Sequence, residues 1–271
     1  MVMMDWARTQ GPAGDTACGL HVTAASREDL LRDLRAAMTE RRGFSVATLN
    51  LDHVVKIREN ADFLRAYRRH THITADGNPI VWLSRLAGQD VRLVPGSELI
   101  EPLAEIAAQT GTPVAFLGAT QTSLDQAAAA LEQRFPGLQV VARIAPPMGF
   151  DPLGEEAGAQ IAALRASGAR LCFLALGAPK QEILAARLQE QIPQMGALSI
   201  GAGLDFISGA QTRAPRLFRL LAAEWLWRLA GNPGRLARRY GACLKILPGL
   251  FLQALRTRRG GTPGAKMTKG I

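Results

Sequence analysis

The carboxylate in the best position for acid–base chemistry is that of Asp76. It follows a short apolar segment and opens the sequence Asp-Gly-Asn-Pro. Side chains at a strand end of an α/β protein face the ligand cleft, where a carboxylate can accept the proton of a substrate hydroxyl group as a general base. The structural alternative is that Asp76 caps the helix predicted to follow, because Asp is a preferred N-cap residue. The two roles are compatible with each other.

Polar or glycine-rich segments also follow two other predicted strands. Thr48 and Asn50 can bind a substrate or hold a turn, and the residues alone favour the turn. In Gly118-Ala-Thr120, backbone N–H groups and the dipole of the next helix can hold a diphosphate. The segment matches neither GxGxxG nor a Walker A sequence, so a plain turn is an equal alternative.

Two more loops carry candidate ligand contacts, namely Lys180, Gln181 and Glu182 in the first and Gly201, Gly203 and Asp205 in the second. In the first loop the amide and carboxylate can bind sugar hydroxyl groups while the ammonium group neutralises a phosphate. Its alternative is a solvated first helical turn. The glycines of the second loop allow close approach to a ligand, or they form a tight turn.

The elements that position these residues alternate between apolar strands and amphipathic helices. Strands are predicted at 44–49, 72–75, 114–117, 138–144, 171–176 and 197–200. Helices are predicted after the capping residue Ser26 and over 52–69, 80–86, 122–134, 155–166 and 179–191. This alternation predicts an α/β fold, a Rossmann-like parallel sheet with helices on both faces. The carboxyl ends of its strands would then bring the candidate residues to one edge.

The distribution of charge divides the chain into two unequal parts. The 271 residues carry a formal net charge of +9, but residues 1–205 sum to −3 and residues 206–271 sum to +12. We expect an irregular N-terminus over 1–20 and a catalytic body over 21–212, with a smaller part to about 110 and a Rossmann-like part over 111–212. A basic amphipathic helical appendage over 213–255 and a disordered basic tail over 256–271 complete the prediction.

Composition excludes several classes of protein. Hydrophobic residues make up 48% of the chain, which excludes an intrinsically disordered protein. The three cysteines lie far apart and the four histidines are poorly spaced, so we expect no disulfide scaffold and no metal site. The chain carries no Rossmann fingerprint, Walker A sequence or nucleophile elbow, and we expect no cofactor. No secretory signal is visible, and no segment approaches the roughly 20 apolar residues of a spanning helix. These features predict a cytoplasmic protein that is soluble or peripherally attached to a membrane.

The cationic C-terminal quarter admits three interpretations. Its arginines alternate with leucines and with Trp225 and Trp227, as in a helix that lies on an anionic bilayer. The same arginines can bind the phosphates of a nucleic acid, and a non-enzymatic α/β protein that binds nucleic acid is the alternative function. In the third interpretation the helix packs on the body with a solvated basic face. The interleaved apolar residues favour the membrane.

Taken in order, the motifs resemble the WecG/TagA/CpsF family (glycosyltransferase family 26). The resemblance spans roughly residues 20–250, and its most specific parts are the Lys180-Gln-Glu182 block and the C-terminal arginine-rich block. The motifs are Thr48-Leu-Asn50, Ala75-Asp76-Gly77-Asn-Pro79, Phe116-Leu-Gly118, Gly177-Ala-Pro-Lys180-Gln-Glu182, Gly201-Ala-Gly203-Leu-Asp205-Phe206, Arg213-Ala-Pro215 and Glu224-Trp225 with the downstream Arg228, Arg235, Arg239 and Tyr240.

The resemblance implies an inverting transferase that moves a sugar from a UDP-sugar to a polyprenyl-diphosphate-linked sugar in bacterial cell-surface or exopolysaccharide synthesis. The implied donors are UDP-N-acetylmannosamine, its uronic acid or a UDP-hexose, with no divalent metal. Asp76 matches the proposed catalytic base, and Thr48 and Asn50 match polar residues of the same pocket. The glycine-rich loops and the Lys180–Glu182 block match the donor side.

The resemblance also implies that the C-terminal appendage attaches the enzyme to the inner face of the cytoplasmic membrane. The residues expected to meet the membrane or a lipid diphosphate are Arg213, Arg228, Arg235, Arg238 and Arg239. One position departs from the family, because Leu93 stands where members often carry a phosphate-binding arginine, and Arg92 is the nearest substitute. Self-association of the chain is also compatible with the sequence.

Overall fold

A six-stranded, entirely parallel sheet forms the centre of the molecule. The computed structural model describes residues 3–4, 19–211 and 233–260. The strands are β1 (Met3–Met4), β2 (Gly19–Leu20), β3 (Phe44–Leu49), β4 (His72–Ala75), β5 (Val114–Gly118), β6 (Val140–Ile144), β7 (Leu171–Ala175) and β8 (Gly196–Ser199). The main sheet has the order β4-β3-β8-β7-β5-β6, and β1 pairs separately with β2. Because all six strands of the main sheet run the same way, their carboxyl ends lie at one edge.

Helices cover both faces of this sheet. They are α1 (Arg27–Thr39), α2 (Leu51–Glu59), α3 (Ala61–Arg69), α4 (Asn78–Leu86), α5 (Ile100–Thr110), α6 (Gln121–Arg134), α7 (Glu155–Ala166), α8 (Lys180–Gln191), α9 (Gly203–Ile207) and α10 (Pro233–Gly260). Phe116 and Phe173 pack on one face with α1, α5 and α6. Leu117 and Leu174, one residue later, pack on the other face with α7 and α8. This alternation buries both faces and confirms the predicted α/β architecture.

The single helix predicted over 52–69 is wrong, because Asn60 divides it into α2 and α3. Asn60 has extended backbone angles, φ −128° and ψ 108°. Its Oδ1 accepts a hydrogen bond of 2.9 Å from the N–H of Phe63 and so caps α3. Asn favours this role because a short polar side chain competes with the helical backbone for hydrogen bonds.

The chain ends differ from the expectation of irregular termini. Within the expected irregular segment 1–20, β1 pairs with β2, and Met4 is buried. At the other end, α10 continues through Pro248 and reaches Gly260, five residues into the segment where we expected disorder. The two ends also meet, since Gln253 Nε2 donates a hydrogen bond of 2.8 Å to the carbonyl of Met4. Residues 261–271 lie outside the described part.

Two buried histidines couple the fold to pH. The Nδ1 of His70 donates to the carbonyl of Ala66 over 2.8 Å, and burial lowers the pKa of His70 to about 4. Burial likewise lowers the pKa of His53 to about 3. An unfolded histidine titrates near pH 6.5, so below that pH the unfolded chain binds protons that the folded chain excludes. The stability that depends on these neutral rings is complete above about pH 6.5 and is lost towards pH 4.

We therefore expect His70→Gln to flatten the acid side of the stability profile. Each neutral buried histidine contributes a slope of about 1.4 kcal/mol per pH unit between its two pKa values. Glu182 acts in the opposite sense, because burial raises its pKa to about 7. Urea unfolding at pH 6.5 and pH 4.5 measures the slope of both proteins. Equal slopes in the wild type and the variant would contradict a neutral His70.

Candidate functional site

The candidate residues of five loops meet at the carboxyl edge of the main sheet. The pairing of β3 with β4 aligns Leu49 with Ala75, so Asn50 lies beside Asp76, and Thr48 lies two residues before Asn50, opposite Thr74. The loops after β8, β7 and β5 continue along the same edge in that order. The sheet therefore assembles the groups that the sequence predicted as a base, a polar pocket and a donor side.

Asp76 lies in a tight turn between β4 and α4. Its backbone N–H donates to the carbonyl of Leu49 over 2.8 Å, which joins the turn to β3. The next residue, Gly77, has φ +101° and occupies the N-cap position of α4. Asp76 is therefore not the N-cap residue, and that alternative is wrong. Asn50 borders the same turn, since its Cβ lies 3.8 Å from the position a Cβ on Gly77 would take.

Thr48 and Asn50 are held by a buried hydrogen-bond network behind the edge. Asn50 Oδ1 accepts from the N–H of His53 over 3.0 Å and caps α2, which is the turn-holding role that the residues alone favoured. The hydroxyl of the fully buried Tyr67 donates to the carbonyl of Thr48 over 3.2 Å. Tyr67 lies 2.5 Å from His53 Nδ1. The sequence did not indicate this network, because Tyr67 is distant along the chain and looks like an ordinary apolar position of α3.

Gln181 and Glu182 lie at the start of α8 and are buried, with 3% and 0% of their surface exposed. Gln181 Oε1 accepts from the N–H groups of Gly177, at 3.2 Å, and Gly201, at 3.0 Å. Its Nε2 donates to Glu182 Oε1 over 2.8 Å. These contacts differ from the solvated first turn that was the structural alternative. Lys180, the first residue of α8, is half-buried at the same edge.

The turn after β5 is pressed against the end of β7. Gly118 and Ala119 have φ values of +113° and +56°, and the N–H of Ala119 donates to the carbonyl of Ala175 over 3.0 Å. The next residue, Thr120, caps α6 by accepting from the N–H of Ser123. The turn thus directs the N-terminus of α6 towards the carboxyl edge, where a helix dipole favours an anion.

We expect Gly118→Ala to destabilise the fold by about 2–4 kcal/mol. A Cβ at this position would lie 2.4 Å from the carbonyl carbon and oxygen of Ala175, and the positive φ adds strain. Gly88→Ala is the matched control, because Gly88 has φ +90° but no atom within 4 Å of its Cβ position. Urea denaturation of both variants separates the clash from the backbone strain. Equal losses of stability would contradict the clash.

The loop after β8 forms a second glycine turn. Gly201 has φ +56°, and Gly203 begins α9 so close to α5 that a Cβ there would lie 2.4 Å from Ile100 Cδ1. Asp205 Oδ2 accepts from Gln211 Nε2 over 2.8 Å. Gly203 therefore serves close packing in this structure, and Asp205 holds the end of the loop.

An ion network that the sequence did not predict joins α10 to the loop after β7. Asp52 Oδ1 lies 2.9 Å from Arg239 Nε, and Asp52 Oδ2 lies 2.8 Å from Lys56 Nζ. Lys56 Nζ also donates to the carbonyl of Ala178 over 3.1 Å. Arg239 is thus paired with a carboxylate of the body. The sequence carried one signal for this network: Asp52 and Lys56 are four residues apart directly after β3, which is the spacing of an ion pair on one face of a helix.

The remaining predicted arginines have different positions. Arg92 Nη1 lies 3.8 Å from Glu28 Oε2, in an exposed pair near the N-terminus of α1. Arg238 is exposed on α10. Arg235 belongs to the same helix, but its side chain is not among those described. Arg213 and Arg228 lie outside the described residues.

Helix α10 presents apolar rows on two sides. Leu236, Cys243 and Leu250 recur every seven residues and are buried against the body, where α10 packs on α2 and α4. Leu244 and Phe251 form an adjacent row, in which Leu244 is 66% exposed and Phe251 is 48% exposed. One apolar face of α10 therefore packs on the body, and a second apolar surface is exposed to solvent.

The exposed row extends to Leu252 on α10, which is 55% exposed. On α4, which packs against α10, Trp82 is 58% exposed. Lys245 and Arg256 are exposed on α10 beside this row. Within the described residues no helix is long and apolar enough to cross a membrane. In the same ranges no three His, Cys, Asp or Glu side chains are grouped as metal ligands.

Sequence comparisons relate the chain to known proteins. Residues 16–262 match the family described as "Glycosyl transferase WecG/TagA/CpsF family". The N-acetylglucosaminyldiphosphoundecaprenol N-acetyl-beta-D-mannosaminyltransferase of Staphylococcus aureus (strain MW2) is 27% identical over 215 residues, which cover 79% of this chain and 80% of the relative. The family match includes the whole main sheet and all five loops at its carboxyl edge.

Proposed function

Since the chain belongs to the WecG/TagA/CpsF family of glycosyltransferases, we propose that it transfers a sugar from a UDP-sugar to a polyprenyl-diphosphate-linked sugar, with inversion at the anomeric carbon. The observation that carries the proposal is the position of Asp76 at the carboxyl edge, next to Asn50 and outside the N-cap position of α4. The family supports the reaction class, and the geometry supports the base.

In the proposed reaction the Asp76 carboxylate accepts the proton of the acceptor hydroxyl group. The acceptor oxygen forms a bond to the anomeric carbon as the bond from that carbon to UDP breaks on the opposite face. A sugar hydroxyl group is a weak nucleophile because its pKa lies far above 7, so a positioned base accelerates the step by about 10²–10⁴-fold.

The departing diphosphate requires positive partners at the same edge. The N-termini of α6 and α8 point there, and Lys180 is the first residue of α8. Helix N-termini and a lysine stabilise anionic oxygens through partial and full positive charges. We assign the diphosphate of the donor to these groups, next to the loops after β5 and β7.

We propose the donor sugar and the acceptor from the name of the S. aureus relative. The acceptor we propose is N-acetylglucosamine linked to a polyprenyl diphosphate, because the S. aureus relative is named for that substrate. N-acetylmannosamine is the first donor sugar to test, followed by its uronic acid and by hexoses. Such a product belongs to the synthesis of a cell-surface polysaccharide or an exopolysaccharide at the inner face of the cytoplasmic membrane.

A screen of UDP-sugars against a short-chain polyprenyl-diphosphate N-acetylglucosamine tests the proposal. We expect one UDP-sugar to give a product whose mass, read by mass spectrometry, exceeds that of the acceptor by one sugar residue. The same acceptor without the diphosphate is the control for recognition of the lipid carrier. Absence of product with every UDP-sugar, from protein that is folded and binds UDP, would contradict the proposed acceptor.

A further inference from the structure

We propose that Gln181 is a positioning residue that clips the loops after β7 and β8 together, and that Glu182 fixes the orientation of its amide. The inference rests on the proposed function in one respect only, namely that these two loops form the donor side of the site. It replaces the expectation that Gln181 and Glu182 bind sugar hydroxyl groups directly.

The side chain of Gln181 joins two loops that follow neighbouring strands of the sheet. Gly177 and Gly201 follow different strands, and both have left-handed backbones, with φ values of +71° and +56°. Such turns leave the regular ladder between β7 and β8, so their N–H groups need other acceptors. One side-chain oxygen, Gln181 Oε1, receives both N–H groups, at 3.2 and 3.0 Å. A carbonyl oxygen has two lone pairs, so this atom is fully used.

The two backbone N–H donors and Glu182 together fix the amide orientation of Gln181. If the amide were reversed, its NH₂ group would face two N–H donors and its oxygen would face the carboxyl group of Glu182. In the observed orientation Gln181 Nε2 donates to Glu182 Oε1 over 2.8 Å. Among the described residues no group donates to or accepts from the other carboxyl oxygen, Oε2, which is buried. Its complete burial and its contact with the amide suit this carboxyl group to orienting Gln181 rather than to binding a ligand.

Burial separates positioning from ligand contact. Gln181 is 3% exposed and Glu182 is 0% exposed, so a substrate could reach neither side chain without displacing the loops. Three of the four hydrogen-bonding positions of the Gln181 amide are occupied within the protein. Gln181 would therefore influence the donor through the backbones of the loops that it holds.

Hydrogen exchange of the ligand-free protein tests the clip directly. In Gln181→Met, which keeps the length of the side chain, we expect the amides of Gly177 and Gly201 to exchange about tenfold faster or more. Gln189→Met on the same helix is the matched control and should leave both amides unchanged, because Gln189 bonds instead to the carbonyl of Met195. Unchanged exchange in Gln181→Met would overturn the proposal.

The orienting role of Glu182 is tested by two further variants. Glu182→Gln can still accept from Gln181 and should keep both exchange rates within about threefold of the wild type. Glu182→Met cannot accept, so we expect faster exchange at both glycines and a KM that rises more than kcat falls. If Glu182→Gln is as damaging as Glu182→Met, the carboxylate has a direct role and the proposal fails. Because exchange needs no substrate, failure of the proposed reaction would leave this result interpretable.

Discussion

Asp76→Asn is expected to lower kcat by about 10²–10⁴-fold, which is the usual contribution of a positioned general base. Asn has the size of Asp and keeps the backbone hydrogen bond from residue 76 to Leu49, so the turn and the fold should be preserved. It cannot accept the proton of the acceptor hydroxyl group. Single-turnover transfer from the UDP-sugar measures the chemical step, and the Kd of UDP measures whether the donor site is intact.

Asp90→Asn is the matched control for this experiment. Asp90 is exposed after α4 in the same region of the chain, so its loss removes the same charge without touching the site. We expect the control to transfer sugar at the wild-type rate. If Asp76→Asn retained most of its activity with normal UDP binding, Asp76 would not be the base. If UDP binding were lost together with activity, Asp76 would be a donor contact.

Periodicity and turn residues predicted the frame of the molecule because they are local signals. β3, β4 and α7 have the predicted bounds, and the ends of the other strands of the main sheet lie within two residues of their predicted bounds. Since the strands are parallel, the same reasoning placed the candidate loops at one edge. The position of Asp76 in the fold followed from these signals alone.

The missed features depend on contacts between distant parts of the chain. The pairing of β1 with β2 and the ion pair of Arg239 with Asp52 join segments whose proximity no local pattern reveals. The burial of Gln181 and Glu182 was equally hidden, because their polarity indicated a solvated helix start. Asn60 carried a local capping signal, but the amphipathic pattern on both sides of it continued and concealed the break.

Partition to anionic membranes is expected to depend on the outer surface of α10. In Phe251→Ser/Leu252→Ser, two side chains that are 48% and 55% exposed lose their apolar surface. An apolar side chain that moves from water into lipid contributes about 1.5–3 kcal/mol when it becomes fully buried. We expect the double variant to bind vesicles of mixed phosphatidylcholine and phosphatidylglycerol at least about 30-fold more weakly. Because neither residue belongs to the buried row of Leu236, Cys243 and Leu250, folding should be preserved.

We expect charge to contribute separately to vesicle binding. Each lysine or arginine near an anionic membrane adds about 1 kcal/mol, so Lys245→Gln/Arg256→Gln should weaken vesicle binding by about 30-fold. This loss should disappear on vesicles without anionic lipid, whereas the loss in Phe251→Ser/Leu252→Ser should persist there. Val141→Ser is the control, because Val141 is 42% exposed but lies on β6 at the far edge of the sheet from β4.

The vesicle experiment also decides between the two polyanions that the basic C-terminus could bind. The phosphates of RNA attract arginine and lysine but gain nothing from the exposed apolar side chains of Phe251 and Leu252. RNA binding also falls steeply as the salt concentration rises. A docking helix uses both kinds of side chain, so both double variants should lose vesicle binding. If only the charge variant lost binding, and RNA competed with vesicles at low salt, α10 would be a nucleic-acid surface rather than a membrane-docking one.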